Sequence, residues 1–307
     1  MAETTDRRST SGPIPTRLLV LGMAHEDGTI LARELLPVAD ACGQSPDQIR
    51  SCLRRLVGEG LFVRAEGTGG GARFVATPAG MAQLGATMER TRRAYHQDLA
   101  GRSWDHQWRL AAFAVPESRR RDRDALRDRL LELGGAALQG GLYVSPHPWL
   151  KDVSAQASRL GLADLVSTAT TTDLEVGGEH DPKEVARRLW PVDELGAKYQ
   201  AFLDHYRDVP SLLSSWRKAR RKLPDAEFLP GALAMAVSFQ ECFDQDPLLP
   251  PELLPRPWPG RKARDVLAAS RRLALSIRQS SGRPPLFRLY DDAIDTIPLG
   301  IDVRPLN

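Results

Sequence analysis

At 307 residues the chain is longer than one typical domain, and at roughly 150 residues per domain it corresponds to about two or three. Its 42 basic and 39 acidic residues leave a formal net charge of +3, too close to neutral to mark the whole molecule as a binder of polyanions, so any nucleic-acid role rests on where charge is placed locally. Three cysteines, Cys42, Cys52 and Cys242, stand without CxxC spacing, which excludes a disulfide scaffold and a cysteine-held zinc site and fits a reducing cytoplasm. Residues 1–15 are polar, lack a signal-peptide core and are expected to form a disordered leader. No later apolar run approaches the roughly 18 residues of a spanning helix, so no membrane is expected as a partner.

The first folded segment is expected over residues 16–95. It opens with the helix-like run "TRLLVLGMA". Pro37 suits a first helical position, and the helix it would start should stop near Gly43. Ser45 then offers an N-cap with Gln48 three residues on, and Pro46 sits at the next first helical position. From there Ile49, Cys52, Leu53, Leu56 and Val57 fall on one buried stripe. At about 100° per residue the opposite face holds Asp47, Ser51 and Arg54, flanked by Gln48, Arg55 and Arg50. "LFVRAE" and "RFVAT" read as strands around the glycine-rich tip Gly67 to Gly71, with Arg64 and Arg73 beside it. Helix, helix, turn, helix and hairpin in this order predict a winged helix-turn-helix that binds DNA. The string "GTGGGA" formally matches a dinucleotide fingerprint, but it leads into a strand and then Pro78 rather than opening a helix.

A second segment, over residues 96–180, reads strand, helix, strand, strand, helix, strand. "HQWRLAAFAV" is the first strand, and "ESRRRDRDALRDRLLELGG" is a helix with Leu126, Leu130, Leu131 and Leu133 toward the core. "AALQGGLYVSP" gives two strands about Gly140 and Gly141, "WLKDVSAQASRLG" a helix and "ADLVSTATTTDLEV" the last strand. The order βαββαβ is that of a ferredoxin-like sandwich. Residues 181–307 read as mostly helical, so the overall class is α+β. Between two of those helices lies "DPLLPPELLPRPWPG", Asp246 to Gly260, with six prolines in fifteen residues. Proline blocks regular hydrogen bonding, yet a disordered linker would be poor in leucine and tryptophan. The stretch is expected to be an ordered strap whose leucines and Trp258 lie on the C-terminal helices. The tail after Pro284 has no assignable pattern.

No catalytic constellation stands out, and no cofactor or metal is implied: there is no H-E-x-x-H and no G-x-S-x-G. His147, between prolines, reads as a turn residue. The cluster Asp291, Asp292 and Asp295 lacks further ligands at metal spacing. "RKARRK", Arg217 to Lys222, reads first as an exposed helix end, with an approach to the DNA backbone or a pairing with a partner's acidic face as the alternatives.

The helix-hairpin segment followed by "WDHQWRLAAFAVPESRRRDRDALRDRLLELGGAALQGGLYVSPHP", "LWPVDELGAKYQAF" and "DPLLPPELLPRPWPGRKAR" resembles the PaaX family of transcriptional regulators. The last string is its most specific part. The resemblance implies a Cas2-like ferredoxin fold in the middle segment, a homodimer, and release of a double-stranded DNA operator when an aryl-CoA thioester binds. Arg50 and Arg55 match family arginines, as phosphate contacts or as structural pairings. "AVSFQECFDQDP" departs from the histidine and arginines usual before the D-P motif, which opens either a different effector or none. "FAVPES" lacks the strand-end aspartate that a metal-dependent nuclease would need. The reading is a bacterial, cytoplasmic DNA-binding repressor. Ser51, Arg54 and Gln48 are assigned to base edges, Arg50 and Arg55 to phosphates, Ser45 to the helix cap at the interface, and Arg64 and Arg73 to the wing. An effector-independent interaction module and a nuclease are the alternatives.

Overall fold

A computed structural model describes residues 15–65, 71–101, 104–277 and 286–290. The chain folds as two compact units, one formed by residues 1–93, 202–241 and 262–307, the other by 94–201 and 242–261. Of the described residues, no helix is long and apolar enough to cross a membrane.

The first unit begins with α1 (Thr16–Gly22), β1 (Thr29–Leu31), α2 (Ala32–Ala41), α3 (Pro46–Gly58), β2 (Phe62–Ala65) and β3 (Arg73–Ala76). The three strands form an antiparallel sheet in the order β1, β3, β2. Leu19, Ile30, Leu35, Ile49, Leu56 and Phe62 are its innermost side chains. Strand β1 pairs Ile30 with Phe74 and was not anticipated. Its signal was the turn before it, where Thr29 N–H donates to Asp27 Oδ1 at 2.9 Å. Pro37 lies inside α2 rather than at its start. The helix begins five residues earlier, because Leu35, Val38 and Ala39 bury one stripe that outweighs the single hydrogen bond a proline removes.

Helix α4 (Pro78–Ala100) follows. Thr77 caps it by accepting the Gly80 N–H at 3.2 Å. A Cβ at position 80 would sit 2.0 Å from the Leu61 carbonyl oxygen, so only glycine allows that approach. The same unit takes in most of α10 (Asp225–Phe243) and α11 (Pro259–Ile277), together with α9 (Val209–Lys218). Leu229, Leu233 and Val237 of α10 join the α1–α3 core.

In the second unit β4 (Trp108–Phe113), α5 (Arg120–Glu132), β5 (Ala136–Gln139), β6 (Leu142–Ser145), α6 (Leu150–Arg159) and β7 (Val166–Thr171) succeed one another in the expected βαββαβ order. The sheet order is β5, β6, β4, β7 with every neighbouring pair antiparallel. Strand alternation then sorts the side chains by face. Ala111, Phe113 and Tyr143 pack with Leu130 and Leu133 near α5 and Trp149 and Val153 near α6. Trp108, Leu110, Ala136 and Val144 point the other way. Leu131, expected in the core, is 48% exposed, because one helical face already carries Leu126 and Leu130 inward.

The second face is covered by α7 (Pro182–Leu189), by Trp190 and by the proline-rich stretch. Leu249, Leu253 and Leu254 are buried there with the sheet side chains and with Val185 and Ala186 of α7 and Val192, so the strap lies on C-terminal helices, as expected, and on the central sheet as well. Trp258 also meets a helix: it packs edge-on to Tyr199 of α8 (Val192–Tyr206) with ring centroids 6.0 Å apart. Asp246 fixes the strap's entry, accepting from the Tyr199 hydroxyl and the Leu248 N–H, both at 2.8 Å. His147 is buried, and its Nε2 lies 3.0 Å from the Pro247 carbonyl oxygen.

Candidate nucleic-acid interface

Helix α3 begins with the local chemistry its sequence predicts. Ser45 has extended backbone angles, its Oγ accepts the Gln48 N–H at 3.3 Å, and Gln48 Oε1 accepts the Ser45 N–H at 2.7 Å. This reciprocal box satisfies two amide donors that the first turn would otherwise leave unpaired. The turn from α2 passes through Gly43 at φ +70°, a left-handed conformation that glycine adopts without steric penalty. Neighbours hold α3 near both ends: Thr16 Oγ1 donates to Gln44 Oε1 at 2.6 Å, and Arg17 pairs with Glu59 at 2.7 Å.

The stripe Ile49, Cys52, Leu53 and Leu56 is buried, whereas Val57 is 37% exposed. Val57 lies at the edge of the stripe, where the core ends. Burial pushes the Cys42 and Cys52 thiols above their ordinary values, so both behave as small apolar groups. On the opposite side Asp47, Gln48, Arg50, Ser51, Arg54 and Arg55 are all exposed. Arg50 pairs with Asp47 one turn earlier at 2.6 Å, an exposed contact worth little. Arg54, Arg55 and Ser51 make no side-chain hydrogen bond or ion pair with any other described residue. Gln48 keeps its amide nitrogen free to donate, but its oxygen is engaged by the cap.

Arg64 is exposed on β2 and Arg73 half-buried on β3, and the two strands pair with Arg64 opposite Phe74 and Ala65 opposite Arg73. Gly71 is the one described residue of the expected glycine tip; 66–70 lie outside the described residues. Burial alone would raise the Asp27 carboxyl, but the Thr29 hydrogen bonds, with His25 and Arg73 nearby, hold it below the ordinary value.

One group of contacts in this unit has no local sequence signal. Leu286 is buried in the α1–α3 core, Phe287 N–H donates to the Gly22 carbonyl at 2.6 Å, and Arg271 donates to the Leu286 and Phe287 carbonyls. Arg288 donates to Glu34 Oε2 at 2.8 Å and to His25 Nδ1 at 2.9 Å, while His25 Nε2 lies 2.8 Å from the same carboxylate oxygen. Because a guanidinium has no acceptor, Nδ1 accepts and Nε2 carries the hydrogen toward Glu34. Burial would raise the Glu34 carboxyl, but hydrogen bonds from Arg288 and His25 hold it below the ordinary value. The C-terminal segment thus pins α2, the helix that precedes α3. The acidic cluster Asp291, Asp292 and Asp295 lies outside the described residues.

Residues 101–186 match the family model of the PaaX protein central Cas2-like domain, and residues 190–279 match that of the PaaX-like protein C-terminal domain. Together they span more than half of the chain. The chain belongs to the PaaX family. The Transcriptional repressor PaaX of Escherichia coli (strain K12) is 25% identical over 247 residues, covering 80% of this chain and 74% of that one. A solved structure, uncharacterized protein Rv0674 from Mycobacterium tuberculosis, is 21% identical and covers 84% of this chain and 92% of its own, with a TM-score of 0.48. As a PaaX-family member the chain is a transcriptional regulator and not an enzyme. The two family matches begin at residue 101, so the assignment of α3 rests on the geometry above.

Proposed function

We propose that α1–α3 with β1–β3 form a winged helix-turn-helix, that α3 is its recognition helix, and that the β2–β3 hairpin is its wing. In this reading the chain is a cytoplasmic bacterial repressor that binds a double-stranded DNA operator as a homodimer. Ser51 and Arg54 reach base edges in the major groove, and Gln48 joins them as a donor through its amide nitrogen. Arg55 holds a phosphate, Arg50 does so once it leaves Asp47, and Arg64 and Arg73 lie along the flanking backbone. Ser45 serves the interface indirectly, as the cap that fixes the helix start. A two-fold dimer would present its α3 helices to half-sites about 34 Å apart or a multiple of that.

The observation that carries the reading is the state of α3: capped at its start, rigidly seated by four buried side chains, and presenting Ser51, Arg54 and Arg55 to solvent. Free donors on a fixed frame are what groove readout requires. Release by an aryl-CoA or other acyl-CoA thioester is the effector the family resemblance implies, and Gln240 and Cys242 mark where this chain would differ in its response.

Gel shifts on the DNA upstream of the protein's own coding sequence test the reading. The parent protein retards that fragment with an affinity that falls steeply as salt rises, through counterion release, and Arg54→Ala binds about 5- to 150-fold more weakly. A variant that binds as tightly as the parent removes Arg54 from the interface. Titrating acyl-CoA compounds into the complex then tests the effector.

A further inference from the structure

We propose that the turn following α9, carrying Lys218, Arg220 and Arg221, is a second surface that grips the phosphate backbone of duplex DNA. The inference rests on the reading of α3 as a DNA contact and extends it to a part of the chain about 160 residues further along.

The segment Arg217 to Lys222 places five cations in six residues. Lys218, Arg220, Arg221 and Lys222 are exposed, and none of the five is ion-paired with a carboxylate among the described residues. Two have structural occupations. Lys222 Nζ donates to the Ser276 carbonyl at 2.9 Å, closing the last turn of α11, and Arg217 is half-buried in the last turn of α9, where Lys218 beside it is exposed.

That leaves three. Arg221 is stacked on the Trp216 ring, its guanidinium carbon 4.4 Å from the centroid. Stacking holds the plane in place and leaves its edge donors for an acceptor. Arg220 sits at φ +53°, one residue past the Ala219 C-cap, with its N–H on the Arg217 carbonyl at 3.0 Å and the Arg221 N–H on the Trp216 carbonyl at 2.9 Å. This is the left-handed position that normally ends a helix in glycine. An arginine there carries a backbone penalty that a helix stop alone gives no reason to accept. Lys218, on the last turn, adds a third exposed charge. Three unpaired cations fixed at a helix end, one stacked and one held in a conformation unfavourable to it, suit a chain of phosphates and not a single carboxylate.

The turn belongs to the same compact unit as α3. Leu213 and Trp216 of α9 pack with Leu223 and with Leu273, Ala274 and Ile277 of α11, and Phe228 of α10 borders both this cluster and the α1–α3 core. One shared side chain thus links the frame under the basic turn to the frame under α3 within one compact unit.

The test is the affinity of the full-length protein for a mixed-sequence duplex, measured by fluorescence anisotropy across a range of salt. For Lys218→Gln/Arg220→Gly/Arg221→Gln the plot of log affinity against log salt becomes shallower by about 2 to 3, near 0.9 per lost phosphate contact. Preference for a specific site over mixed sequence is unchanged. Arg220→Gly alone separates binding from folding: it relieves the backbone, so thermal stability is kept or raised while duplex affinity falls. A parent that binds duplex and a triple variant with the parental slope overturn this proposal and leave α3 standing. A parent that does not bind duplex at all overturns the reading of α3, and this one with it. Loss of dimer in sedimentation with an unchanged slope assigns the turn to protein contact and also overturns it.

Discussion

Helices α3 and α5 are both 13 residues long, both bury a leucine stripe and both are rich in arginine on the outer face, yet they leave different fields around them. On and just before α5, five of six arginines, Arg119, Arg120, Arg123, Arg127 and Arg129, each face a carboxylate, Asp122, Asp124, Asp128, Glu117 or Glu132, and Arg121 alone is exposed without one among the described residues. On α3 only Arg50 has such a partner, and Arg54 and Arg55 point into solvent without one. A duplex reads unpaired donors and net local charge, and arginine content alone predicts neither. This contrast is why α3, and not α5, is proposed as the DNA contact.

The contrast breaks most completely if α3 loses its seat. Leu56 is fully buried beneath the helix, and Leu56→Ala should lower stability by about 2–5 kcal/mol, read as a shift of the denaturation midpoint, with DNA binding falling in proportion to the folded fraction. Next in size is Arg54→Ala, about 1–3 kcal/mol in DNA binding with no change in melting temperature; a loss of stability instead would mean that the side chain braces the fold. Ser45→Ala removes the cap and should cost about 1 kcal/mol of stability, with amide exchange accelerated in the first turn of α3 rather than at its end. Smallest of all, Arg127→Gln on α5 leaves both melting temperature and duplex affinity at the parental values, because its exposed pairing with Asp128 is screened by solvent.

Acid provides a separate handle on the frame behind α3. Glu34 titrates lower in the folded protein than its ordinary value of about 4.3. Its contribution is therefore complete above that pH and is lost only as pH falls through the lower folded value. Arg288→Ala should flatten that part of the stability profile. A variant whose acid limb matches the parent's would show that Arg288 does not hold the carboxylate down.

Much of this was legible in the chain. The capping box at Ser45 and Gln48, the stripe of α3 and the βαββαβ order each depend on residues a few positions apart, where propensity and periodicity act. What escaped depends on distance. Strand β1 is three residues long, too short for a period, and owes its conformation to β3. The strap's order and its contact with C-terminal helices were foreseen but not its seat on the sheet, because nothing within "DPLLPPELLP" specifies the face formed by Trp108, Leu110, Ala136 and Val144. Arg288 meets His25 and Glu34 across more than 250 positions, a contact with no local pattern. Pro37 misled because a proline marks a helix start only when the preceding residues lack an apolar stripe of their own.

The central claim is that the outward face of α3 enters a DNA groove. Cys42, Cys52 and Cys242 are all buried, so a thiol-directed photo-crosslinker on Ser51→Cys reacts at a single chosen place, and the same reagent on Arg127→Cys serves as the α5 control. Illumination of the complex with the upstream fragment should join position 51 to bases within the retarded site and leave position 127 unattached. Crosslinks from position 127 and none from position 51, in a complex that forms with parental affinity, would contradict it.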